Sequence, residues 1–278
     1  MEEPLREDLA RRRPAGRRYR AGVRPGPRAD RRRRRLRDAQ GVDGRAFALT
    51  RHLDRLARSA RGLGLPEPDL DEVRHACAAV LAAEPVPLGR LRITYTGGLS
   101  PLGSDRGENT PTLVVALGES HPRPETTAVV TVDWTRNERG ALAGLKTTSY
   151  AENVVALARA REQGATEALF ANTVGALCEG TGSNVFVVLD GEIHTPPVSS
   201  GCLAGITRAL TAEWTGARET ELPMDVLERA DEIFLTSSLR DVQGVHRVDG
   251  RTLAAAPGPV TAKAIRIFAE RSAADIDP

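Results

Sequence analysis

The most informative part of the sequence is Leu177–Leu210, LCEGTGSNVFVVLDGEIHTPPVSSGCLAGITRAL. Glu179 precedes a Gly/Ser turn, and Asn184 opens an apolar run that is typical of a buried strand. A Thr-Pro pair follows, and Gly205 and Ile206 then begin a helical pattern. Backbone N–H groups at the start of a helix lack helical partners and bind anions. The stretch therefore predicts a carboxylate, a strand and an anion-binding helix start in close succession.

Polar residues outside this stretch complete a recognisable set. Lys146 lies in GLKTTSYAEN, where a strand pattern gives way to a helical one, and Ser237 and Ser238 end the apolar pattern ADEIFLTSS. A lysine, a carboxylate and a phosphate-binding nest are the parts that a pyridoxal phosphate site requires. Each residue alone is ordinary, because most lysines and glutamates are surface charges. Their joint order is what favours a cofactor site.

The chain resembles the fold-type IV pyridoxal-phosphate enzymes, which include branched-chain and D-amino-acid aminotransferases and 4-amino-4-deoxychorismate lyase. The resemblance covers residues 42–275. It implies an α+β fold with a small N-terminal α/β domain and a larger, barrel-like C-terminal domain, and a homodimer with the cofactor in the cleft between domains. The residues that match the family's signature are Glu179, Asn184, Phe186, Thr195, Leu203, Gly205, Ile206 and Arg208.

The same resemblance implies roles for individual residues toward pyridoxal 5'-phosphate. Lys146 is the Schiff-base lysine and general acid/base, and Glu179 faces the ring nitrogen of the cofactor. Ile206 and Thr207 hold the phosphate together with Ser237 or Ser238. The remaining cofactor-binding residues that the resemblance implies are Arg55 in the first helix, Tyr150, Asn184 and Gly205.

The reaction that the resemblance implies acts on an amino-acid-type substrate. The family's D-amino-acid enzymes bind the substrate carboxylate with an arginine in a loop that here reads TYTGGLSPLGSDRG, and Gly97 and Gly98 lie near its place. This loop argues against D-amino-acid specificity. Two reactions stay open: transamination, and the lyase reaction that releases pyruvate and forms 4-aminobenzoate.

Composition limits the other classes of function. Of the 278 residues, 40% are hydrophobic, which suffices for a core, and the net charge of +2 does not favour a nucleic-acid partner. An apolar run of about 18 residues, as a membrane helix needs, does not occur. The three cysteines are scattered, which suits a reducing cytoplasm, and the five histidines show no metal spacing. We therefore expect a cytoplasmic protein without a membrane helix or a metal site.

Residues 1–41 differ from the rest of the chain, since they are rich in arginine and lack a hydrophobic period. In the family this position carries a strand such as LTVGDGVFET, and the codons for Arg32–Asp38 in a GC-rich gene permit GDGVFET after a shift of one base. We therefore consider an out-of-frame strand, a solvated charged tail and a nucleic-acid-binding arm. The first is favoured because seven consecutive residues permit it, and it implies a family member with impaired catalysis.

The change in composition also predicts where the domains lie. A disordered or out-of-frame segment occupies 1–41, a small α+β domain 42–117, a linker 118–123 and a large cofactor-binding domain 124–278. The first helix of the small domain lies in FALTRHLDRLARSARGLGL, with Thr50 as its N-cap and Gly62 and Gly64 at its end.

Overall fold

The computed structural model describes residues 38–42, 44–83, 86–100 and 110–278. The predictions for residues 1–37, including the arginine run, lie outside the described residues. Strand β1 (Asp38–Val42) pairs with a neighbouring strand along its whole length, from Asp38 opposite Arg92 to Val42 opposite Leu88. The segment predicted to be disordered or out of frame thus ends in a β-strand at residues 38–41, and the prediction for the rest of the segment stays a prediction.

Within the described residues, the first sheet has four strands and carries two helices on one face. Its strands in spatial order are β2 (Arg45–Ala46), β1, β3 (Leu88–Thr96) and β4 (Thr112–Glu119). The helices are α1 (Leu49–Gly62) and α2 (Leu70–Ala83). Alternate residues of β3 and β4 face these helices, as expected for a sheet with one covered face. The side chains that form this core include Leu53, Leu56, Val73, Cys77, Val80, Leu91, Ile93, Val115 and Leu117.

The start of α1 is held by the far end of the chain. The N-cap is Ala48, which makes no side-chain capping bond, so the prediction of Thr50 as N-cap is wrong. The Asp277 carboxylate accepts hydrogen bonds from Thr50 N at 2.8 Å and from Thr50 Oγ1 at 2.6 Å. A carboxylate satisfies a first-turn N–H group and complements the helix dipole. The sequence could not reveal this cap, because its donor and acceptor are 227 residues apart.

The second sheet has nine strands and is the larger unit. Eight strands follow the order β10-β9-β8-β11-β12-β5-β6-β7, and β13 pairs with β12. These strands are β5 (Thr126–Arg136), β6 (Glu167–Asn172), β7 (Leu177–Gly180), β8 (Asn184–Leu189), β9 (Glu192–Thr195), β10 (Arg218–Glu219), β11 (Glu232–Ser237), β12 (Asp241–Val248) and β13 (Arg251–Thr252). The helices are α3 (Ala151–Glu162), α4 (Ile206–Thr215), α5 (Val226–Arg229) and α6 (Pro259–Ala274). The mixture of helices and strands confirms the prediction of an α+β fold.

Both faces of this sheet are buried, which explains why its strands read as apolar runs. Ile233 and Leu235 of β11 pack into one core cluster, while Phe234 packs into another on the opposite face. There the Phe234 ring stacks on Phe186 with centroids 4.7 Å apart. The sheet curls until its last strand, β7, lies beside β8. This curl brings the residues at the ends of β7, β8 and β11 close together.

Two further predictions concern the connection between the two sheets and the presence of a membrane-spanning helix. Strand β4 continues to Glu119 and β5 begins at Thr126, so the connection observed is 120–125 and the first residues of the predicted linker belong to β4. The division into domains at these boundaries stays a prediction. Among the described residues, no helix is both long and apolar enough to cross a membrane.

Candidate active site

Lys146 lies in the loop between β5 and α3, where its two ends are held by different partners. The Nζ amine donates a hydrogen bond to the hydroxyl of Tyr150, the residue before α3, and lies 4.9 Å from that ring's centroid. The Lys146 backbone N–H donates to Ser59 Oγ at 3.2 Å, and Ser59 Oγ donates to the carbonyl of Arg55 at 2.9 Å. The amine is therefore placed beside a group with which it can share a proton.

Helix α1 packs directly against the segment that carries the lysine. A Cβ atom at Gly62 would lie 2.7 Å from Leu145 Cδ2, far closer than side-chain carbons approach one another. Only glycine fits at Gly62 without displacing Leu145. Helix α1 and the lysine loop are thus in close contact at Gly62.

Glu179 lies on β7 with its carboxylate held at both oxygens. Oε2 accepts a hydrogen bond from the Leu203 backbone N–H at 2.9 Å, and Oε1 lies 3.3 Å from Arg136 Nε. Burial raises the pKa of this carboxyl, whereas the charge of Arg136, the Leu203 N–H and the charge of Lys146 each lower it. The net shift is upward, and Arg136 makes the largest opposing contribution. Arg136 is therefore the main group that favours the ionised form of Glu179 against the effect of burial.

Sequence reasoning missed Arg136, which ends β5. Its guanidinium donates to Glu152 Oε2 at 3.0 Å and to Asn153 Oδ1, and it lies 4.0 Å from the centroid of the Phe170 ring. Since Glu152 and Asn153 open helix α3, Arg136 links Glu179 to the segment that follows Lys146. The only signal in the sequence is a basic residue after the strand pattern AVVTVDW.

The helix start predicted to bind an anion is observed at α4, with Gly205 as N-cap. The first helical bond runs from Ala209 N to Gly205 O at 2.9 Å, so the N–H groups of Ile206 and Thr207 precede it. Asn184 Nδ2 donates to the Leu203 carbonyl at 2.9 Å, and a Cβ at Gly205 would lie 2.0 Å from Asn184 Oδ1. Gly205 is required because Asn184 packs against its backbone.

Arg55 and Ser238 reach the same region from two different elements. Arg55 Nη1 donates to the Ala204 carbonyl at 3.3 Å, and Nη2 lies 3.5 Å from His52 Nδ1. The other ring nitrogen of His52 lies 3.5 Å from Ser238 Oγ. Ser237 Oγ instead accepts the Arg240 backbone N–H at 3.2 Å. Of the two predicted serines, Ser238 is therefore the one that is connected to Arg55, through the His52 ring.

The predicted residues fall into two groups around one loop. Lys146, Tyr150 and Glu179 form the first, and Arg55, Ser238 and the start of α4 form the second. The described residues contain no group of three or more histidine, cysteine, aspartate or glutamate side chains that could hold a metal ion. Such an arrangement provides an amine, an acid with a tuned pKa and an anion-binding end. The roles of the individual residues stay predictions.

Comparison with known proteins identifies the family. The model of the family "Amino-transferase class IV" matches residues 39–248. The bifunctional aminodeoxychorismate lyase / D-amino acid transaminase of Mycobacterium tuberculosis is 32% identical over 240 residues, which cover 77% of this chain and 81% of that protein. The branched-chain-amino-acid aminotransferase of Pseudomonas aeruginosa is 31% identical over 234 residues, with 78% and 75% covered.

A solved structure gives the same result for the fold. The fold IV transaminase of Curtobacterium pusillum superposes with a TM-score of 0.78 at 28% identity and covers 86% of this chain and 85% of its own. The prediction of a fold-type IV architecture is thus confirmed. The chain belongs to the class IV aminotransferase family, whose members are pyridoxal-phosphate-dependent enzymes.

Proposed function

We propose that this chain binds pyridoxal 5'-phosphate and transfers the amino group of an amino-acid-type substrate. One observation carries the proposal: three predicted cofactor residues converge on the loop Leu203–Gly205. Glu179 accepts from the Leu203 N–H, Asn184 donates to the Leu203 carbonyl, and Arg55 donates to the Ala204 carbonyl. A ring-binding end and a phosphate-binding end are therefore built on the same short segment.

The chemistry of the donor set fits this cofactor. At the phosphate end, the Arg55 guanidinium and the first N–H groups of α4 supply positive charge and donors. Thr236 Oγ1 is buried and has no hydrogen-bond partner in the described part of the chain. Thr236 is the cross-strand partner of Asn184, so the two side chains lie on the same face of the sheet. A bound phosphate group would give this hydroxyl a partner.

When bound, pyridoxal phosphate serves as an electron sink for the bond that breaks at the substrate's α-carbon. Lys146 Nζ would hold the cofactor covalently in the resting protein, and, once the substrate's amino group has displaced it, the freed amine would take and return the α-proton. The adjacent Tyr150 hydroxyl, which accepts a hydrogen bond from this amine, would keep it oriented. Ionised Glu179 would hold a proton on the cofactor's ring nitrogen, and the charge of Arg136, which lowers the pKa of Glu179, would favour that ionised form.

The lyase reaction is the second candidate. It is favoured by the similarity to the Mycobacterium tuberculosis protein, whose name joins the lyase with a transaminase. Both reactions begin with removal of the same α-proton and use the same residues. The two are separated by product: a keto acid from an amino acid, or pyruvate and 4-aminobenzoate from 4-amino-4-deoxychorismate. The substrates assayed should include D-alanine. Because glycines stand at positions 97 and 98, where an arginine would bind the substrate carboxylate, we predict that D-alanine is a poor substrate.

We also propose that the chain acts as a homodimer in the cytoplasm. Support for the dimer comes from apolar side chains that a monomer leaves in water. Trp134 is 46% exposed, Leu142 46%, Val154 64% and Val155 54%, and all four lie on the segments that flank Lys146. Light scattering coupled to gel filtration measures the mass, and a mass of one chain at micromolar concentration would contradict the dimer.

The chain offers a sharp test of the cofactor proposal because it contains two lysines, Lys146 and Lys263. Lys263 is exposed on α6 and serves as the matched control. We expect the wild-type protein and Lys263→Arg to develop a visible absorption band with pyridoxal phosphate that borohydride removes. We expect Lys146→Arg to develop no such band and to show neither reaction. A band that persists in Lys146→Arg would contradict the proposal.

A further inference from the structure

A second buried glutamate, Glu167, lies at the start of β6 and plays no part in the chemistry proposed above. It is 2% exposed. Its Oε1 accepts hydrogen bonds from the Thr181 backbone N–H at 2.9 Å and from the Thr181 hydroxyl. Its Oε2 accepts from the Ser183 hydroxyl at 2.8 Å. Three donors of a single turn, residues 181–183, thus converge on one carboxylate.

The same carboxylate also contacts a second turn. Arg240 Nη2 lies 3.5 Å from Glu167 Oε2, and the Arg240 side chain is 9% exposed. The guanidinium also donates to the Thr166 carbonyl at 3.1 Å and to Gln243 Oε1. The backbone N–H of Arg240 donates to Ser237 Oγ, which closes the turn that contains Ser238. Glu167 and Arg240 therefore join the turn 181–183 to the turn 237–240.

These two turns lie at different ends of the proposed cofactor site. The turn 181–183 separates Glu179 from Asn184, at the ring-nitrogen end. The turn 237–240 carries Ser238, at the phosphate end. The fit at the first turn is close, since a Cβ at Gly180 would lie 2.6 Å from Ser183 Oγ and 3.0 Å from Glu167 Cγ. The side chains of Ser183 and Glu167 therefore pack closely against the backbone at Gly180.

We infer that Glu167 is a positioning residue that, with Arg240, fixes the distance between the ring-nitrogen end and the phosphate end of the cofactor site. This inference rests on the proposed function. The carboxylate is required because every group that faces it is a donor: one N–H, two hydroxyls and a guanidinium. A glutamine amide would place an NH₂ group against some of these donors, and it would leave Arg240 buried without its anion.

A general loss of stability must be separated from a specific loss of positioning. Glu232 provides the matched control, because it is also a buried carboxylate, 6% exposed, that accepts two backbone N–H bonds. It binds Val260 N at 2.9 Å and Thr261 N at 2.7 Å at the start of α6, and it contacts neither of the two turns in any described bond. Glu232→Gln removes the same negative charge from a carboxylate that binds the start of α6 and not the two turns of the cofactor site.

The experiment compares Glu167→Gln, Arg240→Gln, their double variant and Glu232→Gln. For each we would measure the unfolding midpoint without cofactor, the dissociation constant of pyridoxal phosphate and the absorption maximum of the bound form. We expect all four to be less stable than the wild type. We expect Glu167→Gln and Arg240→Gln to weaken cofactor binding by roughly tenfold or more, a size typical of residues that orient ligand-binding groups. The double variant should be no weaker than the more affected single one, because the pair acts as a unit.

The outcomes separate the possible failures. Cofactor binding by Glu167→Gln within about twofold of the wild type, or weakened no more than by Glu232→Gln, would overturn the positioning role. A wild-type protein that does not bind pyridoxal phosphate would overturn the proposed function and this inference with it. If Glu167→Gln does not fold, Ser183→Ala replaces it, since it removes one bond to the carboxylate and leaves the ion pair. A smaller loss of affinity in Ser183→Ala supports the role, and unchanged affinity contradicts it.

Discussion

Replacement of Arg136 by glutamine should make the stability of the cofactor-free protein fall more steeply as the pH rises. Arg136 Nε lies 3.3 Å from Glu179 Oε1, and burial raises the pKa of that carboxyl. In Arg136→Gln the carboxyl keeps the cost of burial but loses its main compensating charge. Its pKa should therefore rise further above the ordinary value for glutamate.

The distance sets the expected size of the effect. At 3.3 Å and an effective dielectric constant of about 20, Coulomb's law gives about 5 kcal/mol for a pair of unit charges. The two side chains are 14% and 15% exposed, so solvent screens part of this interaction. We expect about half of it, roughly 2–3 kcal/mol, which corresponds to about two pKa units at 1.36 kcal/mol per unit.

The sign follows from proton binding in the two states. A carboxyl whose folded pKa is raised stabilises the folded protein at pH values below its unfolded pKa, and this contribution is lost as the pH rises through the folded pKa. Below about pH 4.3, where Glu179 is neutral in both proteins, the two should differ least in stability. The difference should then grow with pH to the full 2–3 kcal/mol estimated above.

Urea denaturation of wild type and Arg136→Gln, at intervals of half a pH unit from pH 4.5 to 8.5, measures this difference. Arg139→Gln is the control, because Arg139 is 80% exposed beside Glu138 and should change stability by less than about 0.5 kcal/mol. The double variant Arg136→Gln/Glu179→Gln should lose the pH dependence but keep the cost of the lost contacts to Glu152 and Phe170. A difference between wild type and Arg136→Gln that stays constant with pH would refute the electrostatic role of Arg136.

Three other changes give independent checks. Glu179→Gln should still bind pyridoxal phosphate but should slow α-proton removal by roughly two orders of magnitude, about 2.7 kcal/mol, in single-turnover spectroscopy; an unchanged rate would mean another partner for the ring nitrogen. Gly205→Ala should destabilise the protein by about 1–3 kcal/mol in urea and weaken cofactor binding, because its Cβ would lie 2.0 Å from Asn184 Oδ1. Gly250→Ala is the control for the loss of a glycine, because Gly250, like Gly205, is outside the positive-φ range and has no atom within 4 Å of the added Cβ. Replacement of residues 29–38 by LTAGDGVFET should raise the melting temperature and the amino-acid half-reaction rate. If the unchanged protein equals or exceeds this variant in both quantities, the frame hypothesis is rejected.

The parts of the fold that the sequence predicts are those with strong local patterns. The apolar run of β8 and the glycine-started helix α4 are recognisable because buried strands and helix starts each have a local signature. Strand β12 escaped prediction: DVQGVHRV mixes polar and apolar residues, and it owes its place to pairing with β11 on one side and β5 on the other. Such pairing is a tertiary property that no window of sequence contains.

The candidate site shows the same division. Lys146, Glu179 and Gly205 follow from the order of residues in the chain, and the resemblance to a family adds their proposed roles. Arg136 and Glu167 do not follow, because an arginine or glutamate at a strand end is usually a surface charge. Their importance appears only when strand pairing places β5, β6 and β7 side by side in the large sheet.

Peptide mapping after reduction would show whether Lys146 is the residue that carries pyridoxal phosphate. The protein is incubated with pyridoxal phosphate, treated with borohydride and digested, and the mass of each lysine-containing peptide is measured. The chain has two lysines, so the assignment is unambiguous. We expect the added mass of one reduced cofactor on the peptide that contains Lys146. Label on Lys263, or no label at saturating cofactor, would contradict it.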